Sequence, residues 1–470
     1  MSDTLTRREF LGAAAAGTVA ASATARRAAG APVAAGRPEV SGPVTRIRKV
    51  YLAKPVPSWP KPDLDVKAEI QAVEAELAGL ADKLDGIKFE GGNLYRVPAD
   101  VPKSAEALGS PDGLLVFNLT SGVGGMLAPL SATGLPTVLF SRPFAGHDWS
   151  GVAGLRARGD RIICLSTSDF GEIVGACRLI RTIHLLKNTR ILYVDNGPFN
   201  ADTAAKIKER LGATIVSVGP DRMNAAYDAV PDEAARAEAK DWVVNAVQVV
   251  EPSEQDILKA SRFYLATRRI MEEEKAQAVT INCLGLFYQK RLPAYPCLTF
   301  CRLNDLGLTG VCEGDMDSTL TQLIFTYAFG VPGFVSDPVI DTSKNEVIHA
   351  HCVAATRMDG PTGPRAPYVI RSHMEDNKGA SLQVKMRVGQ VITMAKLVNL
   401  NTMLISAGTI TDTPVLDRGC RTKITTKVAD AKKMLNQYGH GLHRVIFYGD
   451  RVAAIRDLAG LMKFEIVEEC

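Results

Sequence analysis

Apolar residues fall into two rhythms along this chain. Over 66–84, Ile70, Val73, Leu77, Leu80 and Leu84 recur at steps of three and four, which predicts an amphipathic helix behind the Pro-rich stretch Pro55, Pro57, Pro60 and Pro62. Short unbroken apolar runs then follow at 114–119, 136–140, 161–165, 191–194 and 213–218, each bounded by turn residues. Continuous rather than alternating runs, separated by helix-length segments, predict parallel strands covered on both faces. Helices are expected at 232–248 and 253–277, the second capped by Ser253, with a further strand at 278–283. An apolar helix over 318–329 is closed by Gly330.

From about residue 345 the texture becomes β-rich with little helix, in runs at 347–354, 382–388, 390–397, 402–410, 421–427 and 443–448. The expected fold class is α/β: two Rossmann-like parallel-sheet domains, at 64–187 and 188–344, followed by a mostly antiparallel domain at 345–470. The second would carry the acidic residues of the site. Residues 31–63 read as linker. A chain of 470 residues is long enough for roughly three domains.

Residues 6–11, Thr-Arg-Arg-Glu-Phe-Leu, precede an Ala/Gly-rich stretch with small residues to Ala25, which resembles a twin-arginine export signal over 1–30. Its apolar part is well short of the ~20 residues a bilayer span needs, so an exported, extracytoplasmic protein without a membrane span is expected. That route moves folded proteins, often with a cofactor already inserted, which suits a metal protein.

Lys and Arg number 55 against 51 Asp and Glu, a net charge of +4 that is too small over this length for a nucleic-acid or anionic-lipid binder. A small-molecule partner follows. Nine scattered Cys without a CxxC pair exclude a disulfide framework and a zinc ribbon, and Cys312 and Cys352 read as small apolar packers. The loop Ser121-Gly-Val-Gly-Gly125 matches neither G-x-G-x-x-G nor a Walker A loop, and leaves Thr120 and Ser121 only as weak pocket candidates.

Five of the seven His lie between 349 and 443. Upstream, Val311-Cys-Glu-Gly-Asp-Met-Asp317 forms an acidic loop before the 318–329 helix, and Asp337 ends a short apolar run. Carboxylates with neutral imidazole suit Mn²⁺ or a similar divalent ion better than a thiolate zinc site does. Each residue also has a plainer reading. Glu313 and Asp315 could cap the helix, Asp337 before Pro338 could form a turn, and His349 or His351 could lie on the surface.

Taken together, Glu313 in Cys-Glu-Gly-Asp, Asp337, His351 in Ala-His-Cys and the segment Gly-His-Gly-Leu-His443 resemble the metal site of the L-fucose and L-arabinose isomerase superfamily. The loop Ser141-Arg-Pro-Phe-Ala-Gly-His-Asp-Trp149 and the strand before Thr120 and Ser121 are similar to the amino-terminal α/β domain of exported, L-fucose isomerase-like members. The resemblance implies a metal-dependent aldose-ketose isomerase working on a monosaccharide through an ene-diol. Glu313 and Asp337 would be both metal ligands and the proton-transfer pair, with His351 and His443 as further ligands and Mn²⁺ as cofactor. It further implies a homo-oligomer, trimer or hexamer, in which His147 and Trp149 of one subunit approach Glu313 of another, with His440 a further substrate-contact candidate. A lyase, hydratase or epimerase using the same metal, and an exported carbohydrate-binding protein without catalysis, remain as alternatives.

Overall fold

The computed structural model describes residues 42–470. The export-signal reading at 1–30 lies outside the described residues. No helix among them is long and apolar enough to cross a membrane.

The chain is a mixed α/β protein with two parallel sheets and a closed antiparallel barrel. Strands β1 (Thr45–Leu52), β2 (Ile87–Tyr95), β3 (Gly113–Asn118), β4 (Thr137–Ser141) and β5 (Ile162–Ser166) form the first sheet, in the order β2-β1-β3-β4-β5 and parallel throughout. Every residue of β3 and β4 is buried, as their unbroken apolar runs require of strands covered on both faces. β1 falls inside the 31–63 stretch read as linker; its run Thr-Arg-Ile-Arg-Lys-Val-Tyr-Leu carries charges between the apolar residues, which hid a strand that sits second in the sheet.

The second sheet takes β6 (Arg190–Val194), β7 (Thr214–Val218), β9 (Ala278–Ile281) and β10 (Thr309–Val311) in the order β10-β9-β6-β7, again parallel. Between β7 and β9 the two-residue β8 (Gln248–Val249) pairs instead with β13 (Tyr368–Arg371), which also pairs with β14 (Ser381–Val384). The helix Glu254–Glu273 opens at Ser253 with a full capping box to Asp256, as expected from the sequence.

The barrel joins β11 (Phe334–Asp341), β12 (Glu346–His351), β15 (Val391–Val398), β16 (Thr402–Asp412), β17 (Thr422–Val428) and β18 (Arg444–Tyr448), and the pairing of β15 with β16 closes it. β19 (Glu465–Glu468) adds in parallel to the first residues of β16. β11 thus belongs to the barrel, although it lies in the 188–344 stretch assigned to the second α/β region. Alternate strand residues divide between two cores. Val335, Val445 and Phe447 join a cluster that runs without a break through Leu192 and Val279 to Phe117 and Ile47 of the first sheet. Their neighbours Phe334 and Ile446 join Val347, Ile424, Trp242 and Tyr368 in the other. The β-rich portion therefore shares its core with the α/β portion. Helices Ala431–Gln437 and Val452–Met462 also interrupt it, the latter burying Ile455, Leu458, Ala459 and Met462 at helical spacing.

The helix Met316–Phe329 ties these parts together. It is apolar nearly all round, buries residues on every face, and ends where Gly330 takes the left-handed conformation. Its amino terminus opens where β10 ends and the barrel begins.

Candidate metal centre

Strand register brings the site together. Ser336 of β11 pairs with Arg444 of β18, and Asp337 pairs with Ala350 of β12. Asp337 therefore lies level with His443, which immediately precedes β18, and one residue off His351, the last residue of β12, which follows its partner Ala350. Glu313 arrives from the other side, two residues beyond the end of β10. It has φ of 63°, and Gly314 after it has 65°. Two consecutive left-handed residues turn the chain sharply between strand and helix, at a cost on the order of 1–2 kcal/mol for the non-glycine one. The turn is held by Gly314 N–H donating to the Ile281 carbonyl at 2.9 Å and Glu313 N–H to Cys283 Sγ at 3.4 Å. Strained non-glycine backbone of this kind is kept where the surroundings enforce it.

The four side chains converge. His443 Nε2 stands 3.4 Å from Glu313 Oε2 and 3.3 Å from Asp337 Oδ1. His351 Nε2 stands 3.4 Å from Glu313 Oε1 and 3.9 Å from Asp337 Oδ2. A divalent ion with nitrogen and oxygen ligands at 2.0–2.2 Å would space neighbouring ligand atoms roughly 3 to 3.5 Å apart, close to the shorter of these separations. The donor set thus fits a metal. Asp337, His351 and His443 form one group able to hold an ion, and Cys312, Glu313 and His351 form a second that overlaps it. The imidazoles are buried, with 6% and 8% of their side-chain surface exposed, whereas Glu313 and Asp337 keep 34% and 32%. The rings form the floor, and the carboxylates are what an incoming molecule meets.

Behind His443 stands Asp315. Its Oδ2 accepts from His443 Nδ1 at 2.8 Å and from Ser318 Oγ at 2.6 Å, its Oδ1 accepts from Ser318 N–H at 3.0 Å, and Lys396 Nζ lies 3.6 Å away. One carboxylate therefore caps the helix Met316–Phe329 and also fixes the His443 ring with Nδ1 as donor, so that Nε2 faces the acids. Helix capping was weighed for Asp315 from the sequence; its hold on His443 was not, because nothing in the spacing ties residue 315 to residue 443. His351 is set differently. The Cys352 N–H donates to its Nδ1 at 2.9 Å, which leaves the ring proton on Nε2, so ligation requires that proton to move.

The charges reinforce one another. Burial disfavours a charged ring at His443, yet its hydrogen bonds with Asp315, Asp337 and Glu313 outweigh that and push its pKa up to about 11. Hydrogen bonds from His351 and His443 hold the Glu313 carboxyl well below the usual carboxylate range. Burial works against ionisation of Asp315, but His443, Lys396 and Ser318 overcome it, and its pKa is also low. The extra proton on the His443 ring here does what a cation would do, balancing acids packed against one another.

The other candidates lie apart from this cluster. His349, two residues before His351, points to Ser336 Oγ at 3.0 Å and is fully buried, and burial lowers its pKa to about 3. Exposed His440 has φ of 60° and lies close enough to Asp317 to act on its carboxyl, outside the ligand group. His147 and Trp149 sit beyond β4 at the first sheet; the His147 ring is 5.2 Å from that of Trp59, and Trp149 is 47% exposed. Thr120 supports the same loops, its Oγ1 accepting from Lys54 N–H at 2.9 Å, and Ser121 N–H donates to the Trp59 carbonyl.

No protein-family model matches the chain, and no curated protein matches it either.

Proposed function

We propose that this protein is a divalent-metal-dependent aldose-ketose isomerase acting on a monosaccharide. The observation that carries the reading is the meeting of Glu313 and Asp337, both open to solvent, over His351 and His443, with His443 oriented from behind by Asp315. Glu313, Asp337 and His443 would hold the ion, with His351 joining once its Nε2 is free. Mn²⁺ or a similar divalent ion suits an oxygen and nitrogen donor set, and Mn²⁺ is the ion we propose. When bound, a divalent ion supplies polarisation of the sugar carbonyl and a chelating point for two adjacent oxygens.

The chain's own residues supply the rest. The two carboxylates both reach the His443 Nε2, so one can take a proton from the carbon next to the carbonyl while the other hydrogen-bonds the neighbouring hydroxyl. The buried rings close the floor against water. Asp315 keeps His443 from turning away. We further propose that the protein is exported by the twin-arginine route and that its two α/β regions are Rossmann-like. It would assemble as a trimer or hexamer, with His147 and Trp149 of a neighbour completing the sugar pocket near Glu313.

Protein purified without chelator should retain about one divalent ion per chain. Incubated with a panel of aldoses in deuterated water, it should convert one of them to its ketose with label entering at C1 or C2, as read by NMR. Absence of both metal and label across the panel would overturn the reading.

A further inference from the structure

Cys312 was read from the sequence as a packing residue, and it is indeed buried. Its sulfur nevertheless faces the site. Cys312 Sγ lies 3.6 Å from His351 Nε2, and Cys312, Glu313 and His351 present ligand atoms all within 4.8 Å of one another. With a zinc-type ion at about 2.3 Å from sulfur and 2.0–2.1 Å from nitrogen, a tetrahedral site would separate the two ligand atoms by about 3.6 Å. The shared turn explains how neighbouring residues can reach one point. Glu313 and Gly314 are both left-handed, and across this turn the Glu313 carboxylate and Cys312 Sγ come within 4.8 Å of each other.

We propose that the site has a second binding mode for thiophilic divalent ions such as Zn²⁺ or Co²⁺, in which Cys312 becomes a thiolate ligand beside Glu313 and His351. The proposal rests on the metal-site reading above and goes beyond it. A hard ion such as Mn²⁺ gains little from sulfur and uses Glu313, Asp337 and His443, whereas a thiophilic ion gains from Cys312 and is drawn toward it. In that mode the Cys312 thiol gives its proton to solvent as the sulfur-metal bond forms, the His351 Nε2 proton moves to Nδ1 with loss of the hydrogen bond from Cys352 N–H, and the oxidation states of sulfur and metal do not change. Both modes need Glu313, so they exclude each other at one site.

The apoprotein titrated with Co²⁺ provides the test, with equilibrium dialysis for stoichiometry and absorption spectra for ligation. About one Co²⁺ per chain accompanied by a thiolate-to-cobalt charge-transfer band in the near ultraviolet is expected. Cys312→Ser should still bind Co²⁺ but lose that band, and its Zn²⁺ affinity should fall at least about tenfold while its Mn²⁺ affinity changes less than about twofold. One bound Co²⁺ with only weak visible d-d bands in the unmutated protein would overturn the proposal and leave the metal site standing. Failure to bind Co²⁺ and Mn²⁺ alike would overturn both. Absence of the band from the unmutated protein overturns the proposal even if the variant misfolds, and Cys283→Ser and Cys352→Ser, which should keep the band, assign it to Cys312.

Discussion

The loops at the carboxyl ends of the two parallel sheets contain similar residues, and the fold uses them in opposite ways. At the first sheet, Asp148 accepts N–H groups from Gly122 at 2.9 Å and Gly124 at 2.8 Å, and Thr120 accepts that of Lys54. The polar side chains there are occupied in holding loops. Beyond the second sheet, Glu313 takes its close polar contacts from two imidazoles rather than from backbone, and Asp337 shares both rings with it. Backbone that satisfies a carboxylate removes it from chemistry, whereas one balanced only by titratable rings can exchange those protons for a cation. That contrast singles out the second region as the candidate site more firmly than residue type could, since both ends of the molecule offer Asp, His and small polar residues.

The strongest way to break this contrast is to remove one of the unsaturated carboxylates. Glu313→Gln or Asp337→Asn should lower Mn²⁺ affinity by more than about a hundredfold and abolish turnover, because each loses an anionic ligand and a proton acceptor at nearly constant volume. Circular dichroism and melting should show an intact fold. Near-unmutated metal affinity in both variants would show that the cluster is a structural ion-pair network.

Next in size is the residue behind the ligand. Asp315→Asn keeps a cap for the helix but weakens the hold on the His443 Nδ1 proton, and metal affinity should fall about ten- to a hundredfold, as calorimetry would measure. A drop confined to melting temperature would make Asp315 a cap alone.

The pH dependence sharpens the same point. With its pKa pushed up to about 11, His443 carries a proton at neutral pH that the metal must displace. Metal affinity should therefore rise by about tenfold per pH unit between pH 7 and 9, one proton leaving per ion bound. In the metal-free protein the sign reverses. A folded-state pKa above the ordinary 6.5 gives stability that is fully present below pH 6.5 and lost as pH rises through about 11, so the apoprotein should melt progressively lower in alkaline buffer.

How much of this the sequence revealed depends on the range over which each signal acts. The strands β3 to β7 were legible because continuous apolar runs mark strands; β3 and β4 are buried throughout, whereas in the edge strand β7 only Val218 is. The turn at Gly330 and the cap at Ser253 were legible because they are set within one helical turn. β1 was missed because its charged residues broke the run, and β11 fell within the 188–344 stretch because strand pairing depends on register, which no local pattern encodes. Glu313, Asp337, His351 and His443 could be grouped by residue chemistry and order along the chain. The roles of Asp315 and Cys312 could not, since both follow from contacts made across the interface between β10 and the barrel.

The smallest effect belongs to the first sheet and serves as the control on the comparison. Asp148→Ala removes a carboxylate that receives two backbone N–H groups, so it should cost about 1–3 kcal/mol and lower the melting temperature by several degrees. Because those bonds saturate it, metal affinity should move less than about twofold. His147→Ala should do less still to stability, since its exposed ring gives up chiefly its contact with Trp59. These two variants also separate a loop that only braces the first sheet from one that serves a neighbouring subunit. In the first case Asp148→Ala changes stability alone, and His147→Ala leaves turnover at the unmutated level at every protein concentration. In the second, His147→Ala raises KM for the sugar while metal binding, read by calorimetry, stays unchanged. A fall in metal affinity comparable to that of Asp315→Asn in either variant would erase the distinction between the two regions, because saturated and unsaturated carboxylates would then be acting on the same ion.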